Sequence, residues 1–352
     1  MNHEIMVSFC IATFQRYEIL KELILEILSV DSDRIEVVVC DDCSMDNSIN
    51  KIKRIHDKRL KVYTNDTNVG SLQNIYESLE HGKGKFLFYV NDRDNVDPMK
   101  IKKLIRILEE LQYSNVAFLQ CIPDIQPHMN YHIYHKGEDA LLAFGCRITH
   151  PTGCIFRKDA WEKITDRKKI FAEQCYGDYS ITLVYAAMAQ KYDGAIILGD
   201  ICDTTRMRVD FSKEKSGYYK KRKDKRLWYS WGVQWRELMI AYRFLKKLKV
   251  EDTVIDKMLG KRYKEYLRRV TVEYKDNVST PYNTLHYGIP IPQNRIKIYS
   301  TAIMNGFCLW RMMQCFCRKE GKKELLKKVN QDTGRNYFEL LKISYEKILK
   351  AI

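Results

Sequence analysis

Hydrophobic positions in the first two hundred residues come in short unbroken runs, and each run is followed by polar residues and then by a stretch with helical spacing. The run Val37-Val38-Val39 is β-branched throughout, which is typical of a strand buried on both faces. Leu20 and Leu23, with Ile24 and Ile27, instead repeat with the period of an amphipathic helix. The alternation of the two patterns predicts an α/β domain built on a mostly parallel sheet flanked by helices.

The same reading gives the order of elements along this domain. Strands are predicted over residues 5–13, 35–40, 60–64, 86–90 and 115–121, and helices over 17–28, 48–56, 71–79 and from Pro98 onward. Proline suits the first position of a helix because its missing N–H would have no partner there. In a sheet of this kind, ligands bind beyond the carboxyl ends of the strands.

The pattern changes after about residue 211. Strand-like runs give way to long amphipathic stretches over 218–248, 252–274, 296–318 and 322–350. The simplest organisation is an α/β domain over 1–210 followed by an α-helical domain over 211–352.

Charge divides along the same boundary. Residues 1–200 carry 25 Lys and Arg against 29 Asp and Glu, whereas residues 201–352 carry 35 against 16, so the overall net charge of +15 is the sum of −4 and +19. The basic half is expected to face an anionic partner. Its densest block, Lys220–Arg226, is interleaved with aromatic residues, which suits peripheral contact with an anionic membrane surface.

Cysteine usage and hydropathy indicate the compartment. The eleven cysteines are scattered, and Cys10, Cys40 and Cys121 lie within apolar runs, as expected of buried thiols in a reducing environment. The chain has neither an apolar leader at its start nor an uncharged apolar window of about 18 residues. We expect a cytoplasmic protein, with the basic half placing it peripherally at the inner face of the cell membrane.

Polar residues cluster directly after three of the predicted strands. They are Thr13 to Arg16 after the first strand, Asp41 to Asp46 after the second, and Asn91 to Asp94 after the fourth. Carboxylates at such positions can accept hydrogen bonds from a nucleobase and from ribose. An Asp-x-Asp pair suits a hard divalent cation, which keeps coordination positions open for phosphate oxygens.

Three strings resemble the family 2 glycosyltransferases of the GT-A fold. They are Phe9–Arg16, Glu36–Ser44 and Asn68-Val69-Gly70, in place of the family's strand ending Thr-Tyr-Asn-Arg, strand ending Asp-Asp-Gly-Ser and Asn-x-Gly loop. The resemblance covers about residues 4–205 and implies a Rossmann-like GT-A sheet. It also implies inverting transfer from a nucleoside diphosphate sugar, with uridine expected. The basic half favours a cell-surface glycan, a lipid-linked acceptor or another anionic acceptor.

The resemblance also assigns roles to residues. Asp41 or Asp42 would hold the base, and Asp92 and Asp94 would bind Mn²⁺ or Mg²⁺. The donor-binding set would further include Thr13, Phe14, Arg16, Asn68, Gly70, Asn74, Asn91 and Arg93.

This sequence departs from the family pattern at two places. Cys43 replaces the glycine of Asp-Asp-Gly-Ser, so a residue with a side chain must fit that turn. The family's Asp-Ser-Asp-Asp can be aligned in two registers: one matches Asp92 and Asp94 to the metal ligands, with Asp97 in support. The other puts Asn91 and Arg93 at the carboxylate positions and weakens metal dependence. We favour the first.

The acceptor side is expected around a Thr-Gly segment with His150, Thr152 and Gly153. In the resembling family the general base is an Asp near the start of a helix, and Asp178 occupies that place here, with Glu173 as the reserve. An aspartate there is equally suited to capping the helix. Arg206 lies in a basic loop expected to close over the diphosphate.

Two other readings stay open at this point. One is a nucleic-acid-binding protein whose basic helices follow phosphates while the α/β domain is structural. The sequence contains no helix-turn-helix, RNP or zinc-finger pattern, so nucleic acid is not the expected partner. The other is a transferase relative that has lost its metal. The sequence leaves the oligomeric state open.

Overall fold

The computed structural model describes residues 4–122, 130–145, 151–172, 179–199, 201–203, 240–255 and 257–258. The chain divides into two compact units, Met1–Glu214 and Lys215–Ile352. In the second unit, residues 240–247 and 252–255 are helical, and Leu245 and Ile255 are buried. The rest of the predicted helical domain lies outside the described residues. In the part of the chain that the structure describes, no helix combines the length and apolarity that crossing a membrane requires.

The N-terminal unit is an eight-stranded mixed sheet flanked by helices, so the predicted α/β architecture is confirmed. The order across the sheet is β3-β2-β1-β4-β8-β6-β9-β7, and β5 and β10 form a separate antiparallel pair. The strands are β1 Val7–Thr13, β2 Ile35–Asp41, β3 Leu60–Thr64, β4 Phe86–Asn91, β5 Asn95–Val96, β6 Val116–Ile122, β7 Asn130–Tyr134, β8 Cys154–Arg157, β9 Asp193–Leu198 and β10 Cys202–Asp203.

Helices connect these strands. Those within the described part of the unit are α1 Tyr17–Leu28, α2 Ser48–Ile52, α3 Ser71–His81, α4 Pro98–Leu111, α5 Glu138–Phe144, α6 Lys158–Glu162, α7 Arg167–Ala172 and α8 Tyr179–Ala189. Pro98 begins α4 as predicted, and the Asp97 side chain caps that helix by accepting from Met99 N.

Strand directions decide where functional side chains meet. β3, β2, β1 and β4 are parallel, so all four end at the same edge. β8 runs antiparallel to both β4 and β6, so it begins at that edge instead of ending there. The residues that precede β8 therefore join those that follow β1, β2 and β4.

The core explains the unbroken apolar runs. Every residue of β2 is buried, which matches a strand covered on both faces. Leu20, Leu23 and Ile24 of α1 pack into the same core, and Phe9 and Phe88 of neighbouring strands lie 5.2 Å apart between ring centroids.

The structure differs from the sequence prediction in one helix end and in several strands. The helix predicted over 48–56 ends at Ile52, because the following N–H groups of Arg54 and Ile55 bond three residues back and tighten the chain into turns. The strands β7, β8 and β9 and the short strands β5 and β10 were not predicted, and the sheet is mixed because β7 and β8 run antiparallel to their neighbours. Most other boundaries agree within one or two residues.

Candidate active site

Asp41, the last residue of β2, is tied to Ser44. Ser44 N donates to Asp41 Oδ2 at 2.9 Å, and the Ser44 hydroxyl donates to Oδ1. Ser44 Oγ in turn accepts from Gln15 N at 2.8 Å, which joins the ends of β1 and β2. Burial raises the pKa of Asp41, and the hydrogen bonds from Ser44 oppose that shift.

Asp42 organises the loop that precedes α3. Its Oδ1 accepts from Val69 N at 2.7 Å and from Asn65 Nδ2 at 3.2 Å, and its Oδ2 accepts from Gly70 N at 2.9 Å. Asn68 Nδ2 donates to the carbonyl oxygen of Asp42 at 3.1 Å. The predicted Asn-x-Gly loop is therefore held directly against the end of β2. Gly70 takes φ +89°, a conformation that favours glycine.

Asn74 lies on α3 and is buried beneath this loop. Its Nδ2 donates to the carbonyl oxygens of Thr13 at 3.2 Å and Cys40 at 3.0 Å, while its Oδ1 accepts from Asn65 Nδ2 at 3.0 Å. The amide thus links α3 to the ends of β1 and β2. These contacts give Asn74 a structural role.

Cys43 fits its turn in the left-handed region, at φ +61°. This conformation costs a residue with a side chain about 1 kcal/mol and is where the family pattern places glycine. Its thiol donates to the carbonyl oxygen of Asp66 at 3.7 Å. Nearby Cys40 is buried, and burial raises the pKa of its thiol to about 12.

Asp92 follows β4 and meets two residues that follow β1. Thr13 Oγ1 donates to Asp92 Oδ2 at 2.9 Å, and Arg16 Nη1 lies 3.1 Å from Oδ1 and 3.2 Å from Oδ2. The carboxylate is almost fully buried, whereas the Arg16 side chain is 23% exposed. Burial raises the pKa of Asp92, and Arg16 and Thr13 act against it by stabilising the charged form.

Asp94 and Thr152 bring the segment before β8 to the same place. The Thr152 hydroxyl donates to Asp94 Oδ2 and accepts from Asn91 N at 3.0 Å. Asn91 Oδ1 also accepts from the hydroxyl of Tyr89 at 2.8 Å. Both Asp94 and Thr152 are buried.

Gly153 allows this close approach. It takes φ +93°, and a Cβ there would lie 3.0 Å from the carbonyl oxygen of Cys121 and 3.1 Å from Gln120 Nε2. Its N–H donates to the carbonyl oxygen of Tyr89 at 3.0 Å. Only glycine suits both the angle and the space, so Gly153 fixes where Thr152 stands.

A two-carboxylate metal site does not fit this arrangement. Asp92 accepts from Thr13 and is already paired with the cationic Arg16, so a metal ion there would lie beside a second positive charge. Asp94 differs from Asp92 in that the Thr152 group donating to it is a neutral hydroxyl. Within the described residues, no group of three or more His, Cys, Asp or Glu side chains is arranged to hold a metal. Asp97, expected in support, caps α4.

The remaining predicted site residues fall into two groups. Phe14 and Arg93 are half-buried beside the residues just described. His150, Glu173, Asp178 and Arg206 lie outside the described residues. Helix α8 begins at Tyr179, directly after Asp178.

Asn65 was missed by the sequence prediction, and Ser44 was given no role although it lies in the polar cluster after β2. Asn65 directly follows β3, so the rule that selected polar residues at strand ends would have found it. Ser44 stands three residues after Asp41, a spacing typical of side-chain turns.

The model of the family described as glycosyl transferase family 2 matches residues 8–165. An uncharacterized glycosyltransferase of Haemophilus influenzae is 25% identical over 114 residues, which are 32% of this chain and 37% of that protein. The chain thus matches little more than a third of the length of that relative.

Solved structures agree on the fold. The crystal structure of S. aureus TarS 1–349 has a TM-score of 0.54 at 13% identity and covers 97% of this chain and 92% of its own. The same fragment in complex with UDP-GlcNAc has a TM-score of 0.54 at 14% identity, with the same coverage. Together with the strand-end residues described above, these matches show that residues 8–165 are similar to glycosyl transferase family 2 and that the N-terminal unit has the GT-A fold.

Proposed function

We propose that this chain is an inverting glycosyltransferase. It transfers a sugar from a nucleoside diphosphate sugar to a hydroxyl of a glycan or lipid-linked acceptor. The observation that carries the proposal is the hydrogen-bonded convergence of Asp41, Asp42, Asp92 and Asp94 at one sheet edge. That edge is where sheets of this kind bind ligands.

The donor nucleoside is assigned to the end of β2. Asp41 and Asp42 are held in place by N–H groups of Ser44, Val69 and Gly70, so their carboxylates and the surrounding backbone form a fixed acceptor surface. A fixed surface loses little conformational entropy when a base and ribose bind. The complexes of TarS with UDP and with UDP-GlcNAc support uridine as the nucleoside.

The donor diphosphate is assigned to the end of β4. Mn²⁺ or Mg²⁺ would be held there by Asp94, and when bound it neutralises the charge that develops on the departing diphosphate. Thr152 holds the Asp94 carboxylate, and Asn91 and Arg93 flank it. Arg206 is proposed to close over the same phosphates.

Acceptor activation is assigned to Asp178, with Glu173 as the alternative. The base removes the proton of the acceptor hydroxyl while the oxygen attacks the sugar carbon from the face opposite the diphosphate. His150 and Gly153 belong to the acceptor side of this proposal. Thr152 serves it indirectly, because its hydroxyl is engaged by Asn91 and Asp94.

The acceptor class follows from charge. Residues 201–352 carry a net charge of +19, which favours an anionic glycan or a phosphate-bearing lipid at the inner membrane face. Sedimentation with anionic vesicles, lost when Lys220–Arg226 is neutralised and at high salt, would support membrane contact. Equal recovery with neutral vesicles would contradict it.

The test of the function is a donor panel. The purified chain is incubated with UDP-glucose, UDP-galactose, UDP-GlcNAc and GDP-mannose, with and without Mn²⁺, and released nucleoside diphosphate is measured beside binding by calorimetry. We expect one uridine donor to bind and to be turned over, with the first hydrolysis product showing an inverted anomeric centre by proton NMR. A chain that binds no nucleoside diphosphate would overturn the proposal.

The role of Asp178 has its own comparison. Asp178→Asn should retain donor binding and lose turnover by about a hundredfold or more, since a general base contributes roughly 10²–10⁴. Asp166→Asn, which changes an aspartate earlier in the chain, is the matched control and should keep turnover. Full activity of Asp178→Asn would move the assignment to Glu173.

A further inference from the structure

The pair formed by Arg16 and Asp92 is unusual in its exposure. Asp92 is buried and accepts from Thr13 and from Arg16, while the Arg16 side chain reaches the surface at the edge where β1 and β4 end. The anionic member is therefore fixed inside the protein, and the cationic member stands between it and solvent. Such a pair holds a guanidinium in one place.

The contacts of Asp92 indicate that it holds the Arg16 side chain in place. Three distances of 2.9, 3.1 and 3.2 Å engage both of its oxygens. A divalent cation could bind Asp92 only by displacing Arg16 or by lying next to its charge. Asp94, two residues on, accepts instead from the neutral hydroxyl of Thr152.

Arginine is suited to what this position requires. Its planar guanidinium donates to phosphate in bidentate geometry, and it stays charged at every physiological pH. A side chain already fixed by an ion pair loses less rotamer freedom when it binds an anion. The neighbouring strand end, that of β2, is the one assigned to the nucleoside, so a phosphate joined to that nucleoside lies within reach of the same rim.

We propose that Asp92 is a positioning residue that holds the Arg16 guanidinium for the diphosphate of the donor, and that it is not a ligand of the divalent cation. The inference rests on the proposed function. Asp94 is then the carboxylate of the Asp-x-Asp string that we assign to the metal. Arg16 supplies a fixed positive charge that does not depend on metal.

Two binding measurements test this. The affinity for UDP is measured by calorimetry in EDTA, and the binding of Mn²⁺ in the presence of UDP is measured by electron paramagnetic resonance. The variants are Asp92→Asn, Arg16→Gln, their double variant and Asp94→Asn. Arg54→Gln, which removes an exposed arginine after α2, is the matched control for charge.

We expect Asp92→Asn and Arg16→Gln each to weaken metal-free UDP binding about tenfold, with the double variant no weaker than either, because the two residues act as one unit. Mn²⁺ binding should stay within about twofold of wild type in Asp92→Asn and be lost in Asp94→Asn. Thr13→Val, which removes a neutral hydrogen bond and keeps the ion pair, should have a smaller effect than either variant. Arg54→Gln should change neither measurement.

Two results would overturn the inference while leaving the proposed function in place. One is loss of Mn²⁺ binding in Asp92→Asn with metal-free UDP affinity unchanged, since that makes Asp92 a metal ligand. The other is additive loss of UDP affinity in the double variant. Wild-type protein that binds no UDP under either condition would instead overturn the proposed function and the inference with it. A thermal melt of each variant separates loss of folding from loss of binding.

Discussion

Gly70 N donates to Asp42 Oδ2 at 2.9 Å, so the N-terminus of α3 is fastened to the end of β2 by a buried carboxylate. Val69 N donates to the other oxygen of the same group. One side chain therefore satisfies two backbone N–H groups of a loop that lies beside the proposed nucleoside site. Both the stability of the loop and the affinity of the site should depend on it.

The first prediction concerns Asp42→Asn. Val69 N and Gly70 N donate to different oxygens of Asp42, and asparagine replaces one of these oxygens with an NH2 group, which donates and cannot accept. We expect a lower melting temperature and UDP affinity reduced about tenfold, because hydrogen bonds to a charged group contribute roughly 1.5–3 kcal/mol each. Asp66→Asn, an exposed aspartate in the same connection, should leave both unchanged. Equal effects of the two substitutions would contradict the assignment.

The second prediction compares two glycines with nearly the same backbone angle. Gly153 and Gly137 have φ of +93° and +90°, but a Cβ would meet neighbours only at Gly153. Alanine at Gly137 should cost about 1 kcal/mol through the angle alone. Alanine at Gly153 should cost roughly 1–3 kcal/mol more, because Cys121 and Gln120 must move. Urea unfolding of both variants measures the difference in the free energy of unfolding. Equal midpoints would contradict the prediction, because they would show that the neighbours of Gly153 accommodate a Cβ without loss of stability.

The third prediction concerns Arg59, which binds three carbonyl oxygens at the end of α1 and beyond it. Its guanidinium donates to the carbonyl oxygens of Leu28 at 2.6 Å, Val30 at 2.6 Å and Ser32 at 3.1 Å, as well as to Asp57. Lysine cannot reproduce this planar set, so Arg59→Lys should lower the free energy of unfolding by about 2 kcal/mol. Arg54→Lys, the same change at an exposed site, should stay within about 0.5 kcal/mol.

The fourth prediction gives the pH dependence of the same contact. Hydrogen bonding from Arg59 lowers the pKa of Asp57 in the folded protein. Its contribution to stability is therefore fully present above the unfolded pKa, near 4, and is lost as the pH falls through the lower folded value. The stability gap between wild type and Asp57→Asn should be constant from about pH 5 to 7 and close on acidification. A gap that widens in acid would contradict the contact.

The fifth prediction concerns thiol reactivity. Among the described cysteines, Cys43 alone is partly exposed, whereas Cys10, Cys40, Cys121, Cys154 and Cys202 are buried. Burial also raises the pKa of Cys40 to about 12, so its thiolate is scarce at pH 8. Iodoacetamide at that pH should modify Cys43 before the other five, as followed by peptide mass spectrometry. UDP should slow that reaction, and Cys43→Gly, which suits φ +61°, should remove it. Equal labelling of Cys40 would contradict the buried position.

The sequence predicted those parts of the fold and site that depend on local pattern. Strand ends and the polar residues that follow them were found because a buried strand needs an apolar run and its carboxyl end meets the ligand. Asp41, Asp42, Asp92 and Asp94 were identified in this way, and the structure brings them to one edge.

Pairings between residues that are far apart in the chain could not be predicted from the sequence. The ion pair of Arg16 with Asp92 joins positions 76 residues apart, and the bond of Thr152 with Asp94 joins positions 58 apart. Local composition gives no sign of either, because both depend on how strands are ordered. The strand β8 was missed for a related reason: four residues are too few to show a period, and its place depends on two partners far along the chain.

The reversed direction of β8 has a consequence for assembly. Strands β1 to β4 come from one stretch of chain between residues 7 and 91, so all of their pairings with one another lie within that stretch. β8 instead bridges that block to β6, and Thr152 arrives beside Asp94 only when this bridge is in place. During refolding, nucleotide affinity is therefore expected to develop after most of the secondary structure has formed. Nucleotide binding would then indicate that the N-terminal unit has finished folding.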